Sequence, residues 1–314
     1  MKSIVTLTLN PAIDGSCDAD LVRPTRKVRT TNERYDPGGG GINVARIVKR
    51  LGGRVHAFYL GGGATGAVLS SLLDRDGISR TCFDIAGHTR ISHSVFERST
   101  GLEYRFVPEG PLVSEPEWQA CFQALASLRC DYLVLSGSLP RGIADDCYAR
   151  LARIMHARGT LLVLDTSGAA LRRTLAGGNI FLVKPSRGEL EQLAGRTLPS
   201  DESIAEVASG IIRSGQAKYV AVTLGHHGAL LASADTTERL PAIKVKTRSA
   251  VGAGDSFLGA MTFGLAQGLD VGAAFRLGIA AGAATAMTPG TGLCDLADID
   301  RLTEVVARRR RRTT

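Results

Sequence analysis

The chain has 314 residues, of which 44% are hydrophobic and 22% charged, a composition typical of a globular protein with a large buried core. No apolar run approaches the roughly 20 residues that a membrane-spanning helix requires, which argues against a helical membrane protein. The net charge of +8 would suit a nucleic-acid-binding protein, but five of these charges are the adjacent arginines Arg308 to Arg312. We therefore predict a solvated, disordered tail, no specific nucleic-acid partner and no membrane attachment.

The pattern of cysteines gives an indication of the cellular compartment of the protein. Six cysteines are scattered along the chain, at positions 17, 82, 121, 130, 147 and 294, and none forms a C-x-x-C pair. This pattern argues for reduced thiols and against a zinc site or a disulfide-stabilised scaffold. The first residues alternate between apolar and polar, without the continuous apolar run of a signal peptide. We expect a cytoplasmic protein.

Segments typical of strands and of helices alternate along most of the chain. The predicted strands are 4–9, 55–60, 132–137, 161–166, 180–185 and 219–224. The predicted helices are 43–52, 67–77, 114–128, 143–158, 168–176 and 201–214. Several strands are apolar on both faces, as they are when helices cover both sides of a sheet. The pattern predicts a doubly wound α/β fold with a mainly parallel sheet flanked by helices.

Two segments do not fit this alternation. Residues 12–35 are polar and lack a long helical period, while residues 89–107 have two alternating runs around Ser-Thr-Gly, typical of a hairpin. We predict that 12–35 and 89–107 form a small separate β-sheet, a lid over the active site. The α/β core would then comprise 1–11, 36–88 and 108–314.

The motif VGAGDSF, residues 251–257, carries the sharpest chemical signal. Small residues at Gly252, Ala253 and Gly254 precede an apolar helix, and the N–H groups at such a helix start bind anions. Asp255 would repel an anion, so it makes sense there as a base that removes a proton from a hydroxyl attacking phosphorus. The alternative is an ordinary N-cap aspartate, and the motif alone does not decide between the two.

Two further motifs have simpler alternatives. GGGATG, residues 61–66, fits the dinucleotide-binding pattern G-x-G-x-x-G, but it follows the second strand, and a plain tight turn is the preferred interpretation. In LVKPSRGEL, residues 182–190, Lys184 and Glu189 could serve nucleotide phosphates and hydrated magnesium. A surface helix with a capping serine explains the same residues.

Six motifs together resemble the ribokinase-like sugar kinases, the phosphofructokinase B family. They are TLTLNPAID, PGGGGINVAR, SGSLP, LVKPSRGEL, TLGHHGA and VGAGDSF, in the family's order over nearly the whole chain. Within the family the sequence is most similar to the bacterial isozyme-two type of ATP-dependent 6-phosphofructokinase. The resemblance implies a ribokinase-like fold whose glycine-rich turn receives a sugar.

The resemblance also implies a role for individual residues. The implied sugar-binding residues are Asp14, Lys27, Gly38, Gly39, Gly40, Gly41, Asn43, Arg90, Arg105 and Ser138. Lys27 and Arg90, with Arg105 as the weaker candidate, would hold the sugar's own phosphate. The implied ATP-binding residues are Lys184, Ser186, Thr223, Gly225 and Gly228. Glu189 would organise water around Mg²⁺, and the carbonyl groups of Ser249, Val251, Gly290 and Gly292 would bind K⁺.

The implied reaction is transfer of the γ-phosphoryl group of ATP to the C1 hydroxyl of fructose 6-phosphate, with Asp255 as base. Relatives acting on fructose 1-phosphate or tagatose 6-phosphate usually have lysine where this chain has Gly40, which favours fructose 6-phosphate. Ser186 departs from the asparagine that the family usually has, so a catalytically weak regulatory member stays an alternative. The exposed edges of the lid predict a homodimer in which the lid acts as a clasp.

Overall fold

The computed structural model describes residues 2–310, with side chains described as far as residue 307. Its strands are β1 Ile4–Thr8, β2 Ala12–Ala19, β3 Thr30–Gly38, β4 Val55–Gly61, β5 Ser79–Asp84, β6 Arg90–Glu97, β7 Glu103–Phe106, β8 Tyr132–Ser136, β9 Leu161–Asp165, β10 Ile180–Val183, β11 Ala217–Thr223, β12 Gly228–Ala232 and β13 Thr237–Pro241. Its α-helices are α1 Gly40–Arg50, α2 Gly63–Arg75, α3 Glu115–Ser127, α4 Cys147–Ala157, α5 Gly168–Ala176, α6 Arg187–Ala194, α7 Asp201–Arg213, α8 Ala253–Ala266, α9 Val271–Ala286 and α10 Leu296–Arg310.

The main sheet has nine strands in the order β13-β12-β11-β10-β9-β8-β1-β4-β5. All neighbours from β11 to β5 pair in parallel, and only β12 and β13 are antiparallel. The chain starts at β1, the third strand from the β5 end, continues to β4 and β5 on one side and then to β8 and the later strands on the other. Because β1 and β8 are parallel neighbours, their carboxyl ends meet at one edge of the sheet. The predicted doubly wound, mainly parallel fold is confirmed.

Two apolar cores cover the two faces of this sheet, because successive side chains of a strand point to opposite faces. Ile4 belongs to the core beneath α1, α2, α8, α9 and α10, whereas the next residue, Val5, belongs to the core beneath α3 to α7. Val134 and Leu135 of β8 divide in the same way. This explains why the central strands are apolar at consecutive positions.

The second sheet has four strands in the order β3-β2-β6-β7. We call it the lid sheet. The β6–β7 pair is the predicted hairpin, β2 and β3 pair antiparallel, and β2 and β6 pair in parallel. Strand β3 continues to Gly38, three residues past the predicted end of the lid segment at residue 35. The lid therefore runs directly into the glycine turn that precedes α1.

The backbone conformation of the C-terminal arginines differs in part from the predicted disordered tail. Helix α10 extends to Arg310 and so includes the backbone of the first three arginines, while Arg311 and Arg312 lie outside the described residues.

All six cysteines are free thiols, as predicted. Among residues 2–310, no helix is both long and apolar enough to cross a membrane.

Candidate active site

The predicted catalytic aspartate lies in the first turn of α8. The helix has Gly252 as N-cap, in the left-handed region at φ 72°, and no side chain caps it. Asp255 is therefore not the N-cap residue, and that simpler interpretation of the motif is wrong. Instead, Asp255 Oδ2 accepts a hydrogen bond of 2.9 Å from Nδ2 of Asn43 in α1. The first N–H groups of an α-helix have no acceptor within the helix, and in α8 the N–H group of Ala253 donates instead to the Ala250 carbonyl oxygen at 3.4 Å.

The four glycines at the start of α1, Gly38 to Gly41, are enclosed by the ends of neighbouring strands. A Cβ atom on Gly38 would meet the Asp14 carboxylate at 2.1 Å, and one on Gly40 would meet Ser136 Oγ at 2.3 Å. Gly39 has φ +107°, and a Cβ on Gly41 would approach the Leu7 carbonyl at 2.7 Å. Close packing at Gly38, Gly40 and Gly41 and the positive φ of Gly39 thus favour glycine at these positions without any ligand. Contact between their backbone and a sugar stays a prediction.

Asp14 of β2 faces the same space as Asp255. Burial raises the pKa of Asp14 to about 6, the charge of Asp255 adds to the rise, and Arg90 and Arg105 oppose it. Burial also raises the pKa of Asp255, against the hydrogen bond from Asn43 and the charge of Lys184. The structure therefore brings together an acidic pair and two lid arginines that were predicted from distant segments.

This arrangement predicts a pH effect on stability. The pKa of Asp14 is about 6 in the folded chain and 3.8 ordinarily, so the folded state holds the proton more tightly, and ionisation with rising pH destabilises it. Asp14→Asn removes this penalty. Its advantage in unfolding free energy over the wild type should grow by about 1 kcal/mol between pH 5 and pH 8, measured by urea denaturation. Asp20→Asn, at an exposed site just after β2, is the control, and a pH-independent advantage for Asp14→Asn would contradict the prediction.

Asn10, which the sequence analysis did not single out, connects two predicted sugar-binding residues. Its carbonyl oxygen accepts from Arg90 Nη2 at 3.0 Å, and its Nδ2 donates to Ser138 Oγ at 3.2 Å and to the Glu109 carbonyl at 2.8 Å. Arg90 also donates to the carbonyl oxygens of Pro11 and Pro108. The backbone therefore fixes the guanidinium of Arg90 beside Ser138.

Two predicted phosphate ligands lie in more open surroundings. Arg105 is exposed on β7, opposite Ser94 of β6, and its charge lowers the pKa of both Asp14 and Asp255. Lys27 lies in the exposed loop between β2 and β3. Within the described residues of this single chain, no hydrogen bond or ion pair links Lys27 to the other predicted sugar ligands, so its role stays a prediction.

A buried ion pair lies beside the helix start of α8. Lys184 Nζ, just after β10, is 3.0 Å from Oδ1 of Asp165 at the end of β9, and it is close to Gly254. Burial raises the pKa of Asp165 to about 7; Lys184 opposes this, while Asp255 and Glu189 add to it. Asp165 was missed because the sequence around it reads only as a strand end. It adds a third carboxylate to the acidic group of Asp14 and Asp255.

The predicted nucleotide residues lie along the adjacent strand ends. Ser186 is the N-cap of α6 in a capping box, in which Glu189 Oε2 accepts from the Ser186 amide at 2.7 Å and from its hydroxyl at 2.9 Å. Ser186 therefore is the capping serine of the simpler interpretation, and the capping box occupies one of the two carboxylate oxygens of Glu189. Ser186 forms a bridge to Thr223 at the end of β11. Gly225 and Gly228 form the tight turn after it, with φ +58° and +108°.

The loops proposed to bind K⁺ adjoin each other near the N-terminus of α8. Ser249 Oγ accepts from the Val251 amide at 3.2 Å and donates to the lid residue Glu103 at 3.2 Å. Gly290 and Gly292 lie in the loop after α9, where Gly290 has φ +62° and faces Ser16. Carbonyl ligation of K⁺ by these four residues stays a prediction. The contact with Glu103 connects the lid to the loop that precedes Asp255.

The GGGATG motif has a structural explanation. Gly62 is the N-cap of α2, and a Cβ atom on it would meet the carbonyl oxygens of Ile85 and Gly87 at 2.1 and 2.3 Å. Gly63 has φ +66°. The glycines of this motif therefore allow a tight turn that packs against the segment after β5, which is the interpretation that the sequence analysis preferred.

The chain is similar in sequence to known carbohydrate kinases. The model of the pfkB family of carbohydrate kinases matches residues 7–298. The chain is 44% identical over 306 residues to ATP-dependent 6-phosphofructokinase isozyme 2 of Mycobacterium tuberculosis H37Rv, covering 97% of this chain and 90% of that protein. Identity to the Escherichia coli K12 protein of the same name is 37%, covering 98% and 100%. The 1-phosphofructokinase of Bacillus subtilis is 31% identical, covering 92% and 94%.

Solved structures show the same relationship. The phosphofructokinase-2 of Escherichia coli in complex with fructose-6-phosphate superimposes with a TM-score of 0.92 at 36% identity, covering 98% of this chain and 100% of that one. Its complex with potassium gives a TM-score of 0.94 at 37% identity with the same coverage, and a tetrameric inhibited form of it is also similar. The chain therefore belongs to the pfkB family of carbohydrate kinases.

Proposed function

We propose that the chain is an ATP-dependent 6-phosphofructokinase, which transfers a phosphoryl group to the C1 hydroxyl of fructose 6-phosphate. The observation that carries the proposal is the Asp255 carboxylate, which caps no helix and is held by Asn43 beside the N-terminus of α8. The family membership and the names of the more similar relatives support the same activity.

In this mechanism Asp255 accepts the proton of the C1 hydroxyl as its oxygen attacks phosphorus. Its raised pKa suits a base, because a carboxyl group with a higher pKa holds the accepted proton better. The N–H groups of Gly252, Ala253 and Gly254 would offset negative charge on the transferring group. Lys184, close to Gly254, adds a positive charge on the same side.

The sugar would lie between the glycine turn and the lid. Asp14, Asn43 and Ser138 offer acceptors and donors for its hydroxyls, and Arg90 offers a fixed cation for its phosphate. The glycine turn of residues 38–41 would contribute its backbone, and Lys27 and Arg105 would add positive charge from the lid. The proposed sugar site is therefore formed by residues of both the lid and the core.

ATP would lie along the ends of β10 and β11, near Lys184, Ser186, Thr223, Gly225 and Gly228. The described residues contain no group of three or more His, Cys, Asp or Glu side chains that could hold a metal ion by themselves. This fits Mg²⁺, which usually keeps several waters and binds through one or two carboxylates and the phosphates. Glu189 and Asp165 are the carboxylates that fit. Bound Mg²⁺ would neutralise charge on the phosphate oxygens.

A monovalent cation is part of the proposal. The carbonyl groups of Ser249, Val251, Gly290 and Gly292 would hold K⁺ between the loop before α8 and the loop after α9. The Glu103–Ser249 contact supports a fixed geometry for the first of these loops. The named potassium complex of the Escherichia coli relative supports the same cation.

A homodimer formed through the lid sheet is also proposed. Large apolar side chains are exposed on or near this sheet, namely Leu21, Tyr35, Phe96, Leu102, Phe106 and Val107. Monomers rarely expose so many large apolar side chains together on one surface.

The six free cysteines support a cytoplasmic location for the protein.

The test of the function is a panel of sugars in a coupled assay of ADP release. We expect kcat/KM to be highest for fructose 6-phosphate and at least about tenfold lower for fructose 1-phosphate, tagatose 6-phosphate and ribose. A preference for fructose 1-phosphate or tagatose 6-phosphate would assign the chain to the alternative, and Gly40 would then not determine the sugar. Absence of turnover with every sugar, in a folded protein that binds them, would identify a regulatory member.

A further inference from the structure

Helix α1 carries a buried arginine that neither the sequence motifs nor the proposed mechanism explains. Arg46 is 6% exposed, and a buried charge is unfavourable unless it is paired and hydrogen-bonded. Its Nε donates to Asp76 Oδ2 at 2.8 Å, and its Nη2 lies 3.3 Å from Asp36 Oδ1. Its Nη1 donates to the Pro37 carbonyl at 3.0 Å. The guanidinium is thus fixed on three sides.

The fourth contact of Arg46 connects it, through Asn43, to the proposed base Asp255. Arg46 Nη1 donates to Oδ1 of Asn43, one helical turn earlier on the same face, at 3.4 Å. Asn43 Nδ2 in turn donates to Asp255 Oδ2 at 2.9 Å. A guanidinium group has only donors, so it can face only the oxygen end of the amide. The NH₂ end of Asn43 must then face Asp255.

We propose that Arg46 is a positioning residue for phosphoryl transfer, which fixes the amide of Asn43 so that its NH₂ group faces the carboxylate of Asp255. This inference rests on the proposed role of Asp255 as base. Without Arg46 the Asn43 amide can rotate by 180° and present its oxygen to Asp255. That orientation repels the ionised carboxylate and favours its protonated form, which cannot act as a base.

The same arginine connects the lid to this orientation. Asp36 and Pro37 lie at the end of strand β3 of the lid sheet, and Asp36 also accepts from Thr291 Oγ1 at 3.0 Å. The end of the lid strand, helix α1 and Asn43 therefore share one hydrogen-bond network. A lid strand that shifts along its length would move an acceptor of Arg46.

The test compares Arg46→Lys with the wild type over a pH series. Lysine keeps the charge beside Asp36 and Asp76 but cannot provide the arginine's fork of donors. We expect kcat to fall about 10-fold and the acidic limb of the kcat profile to move up by about 1 pH unit, since Asp255 loses a hydrogen bond to its ionised form. The other charged groups facing Asp255 are Asp14, Asp165, Lys184 and Arg105, and all are unchanged in this variant.

Two controls separate positioning from a structural role. Arg75→Lys changes an exposed arginine that pairs with the same two carboxylates, at 3.7 Å from Asp36 and 3.4 Å from Asp76. It should leave the acidic limb in place. In an Asn43→Ala background, Arg46→Lys should move the acidic limb no further, because its effect acts through Asn43.

The outcomes are distinct. A wild type that does not phosphorylate fructose 6-phosphate would contradict the proposed function itself, and an active Asp255→Asn variant would contradict the proposed role of Asp255 as base. If both of those results are as expected, an Arg46→Lys variant that loses thermal stability but keeps its acidic limb would overturn the inference. A further shift in the Asn43→Ala background would also overturn it, since Arg46 would then act on Asp255 by another route.

Discussion

Asp255→Asn should abolish turnover of fructose 6-phosphate while sugar binding is retained. The side chains have the same shape, and an asparagine oxygen can still accept the hydrogen bond from Asn43. The amide cannot, however, accept the proton of the attacking hydroxyl. The loss expected for a general base is about 10²- to 10⁴-fold in kcat. A coupled ADP-release assay measures turnover, and calorimetric titration with fructose 6-phosphate measures binding.

The same substitution at an exposed site provides the control. Asp235→Asn lies in the turn between β12 and β13, far along the sheet from β1 and β8. It should leave kcat and binding at wild-type values. A purified, folded Asp255→Asn protein with near-normal kcat would remove Asp255 from the proton transfer and leave the N-terminus of α8 as an anion site only.

Arg90→Ala should raise the KM for fructose 6-phosphate about 10- to 150-fold, with a much smaller change in the KM for ATP. The structure explains why this arginine is suited to bind a phosphate. Three of its donors are held by the carbonyl oxygens of Pro11, Asn10 and Pro108. A guanidinium has five N–H groups, so two stay available for an anion in a fixed direction.

The experiment has to distinguish lost phosphate binding from lost packing, since the three carbonyl groups also lose their partner. Arg90→Lys, which keeps a charge, should give an intermediate KM. Arg98→Ala, just after the other end of β6 and paired with Asp18 and Asp20, is the matched control. Fructose without a phosphate should react equally slowly with the wild type and Arg90→Ala. A parallel loss for fructose would mean that Arg90 only supports the fold.

Local patterns were sufficient to predict the main features of the fold. Strands apolar on both faces, such as 132–136, predicted a sheet covered on both sides, and the alternation of elements predicted parallel pairing. The lid was predicted because its two segments lacked helical periodicity. The end of β3 was placed too early, because Asp36 and Pro37 are not typical strand residues and their pairing with β2 depends on a distant segment.

The site could be predicted only where a motif keeps its residues together. Asp255 and the glycines before it are adjacent in sequence, so a shared chemical role could be predicted for them from the motif alone. Asn10 donates a hydrogen bond to Ser138, 128 positions away, and Asp165 forms an ion pair with Lys184, which follows the neighbouring strand β10. Neither has a local signal, because their roles arise only when the strand ends meet at one edge. The structure was likewise needed to show that Gly252, and not Asp255, is the N-cap of α8.

The acidic group formed by Asp14, Asp165 and Asp255 implies a trade-off between stability and activity. The charge of Asp255 raises the pKa of both Asp14 and Asp165. The chain free of substrate therefore carries an electrostatic penalty that cations and bound ligands relieve. Selection of variants for heat resistance alone would favour neutral residues at positions 14 and 255, whereas Asp165 would be kept as the partner of the buried Lys184. Under the proposed mechanism, such selection would enrich for inactive proteins.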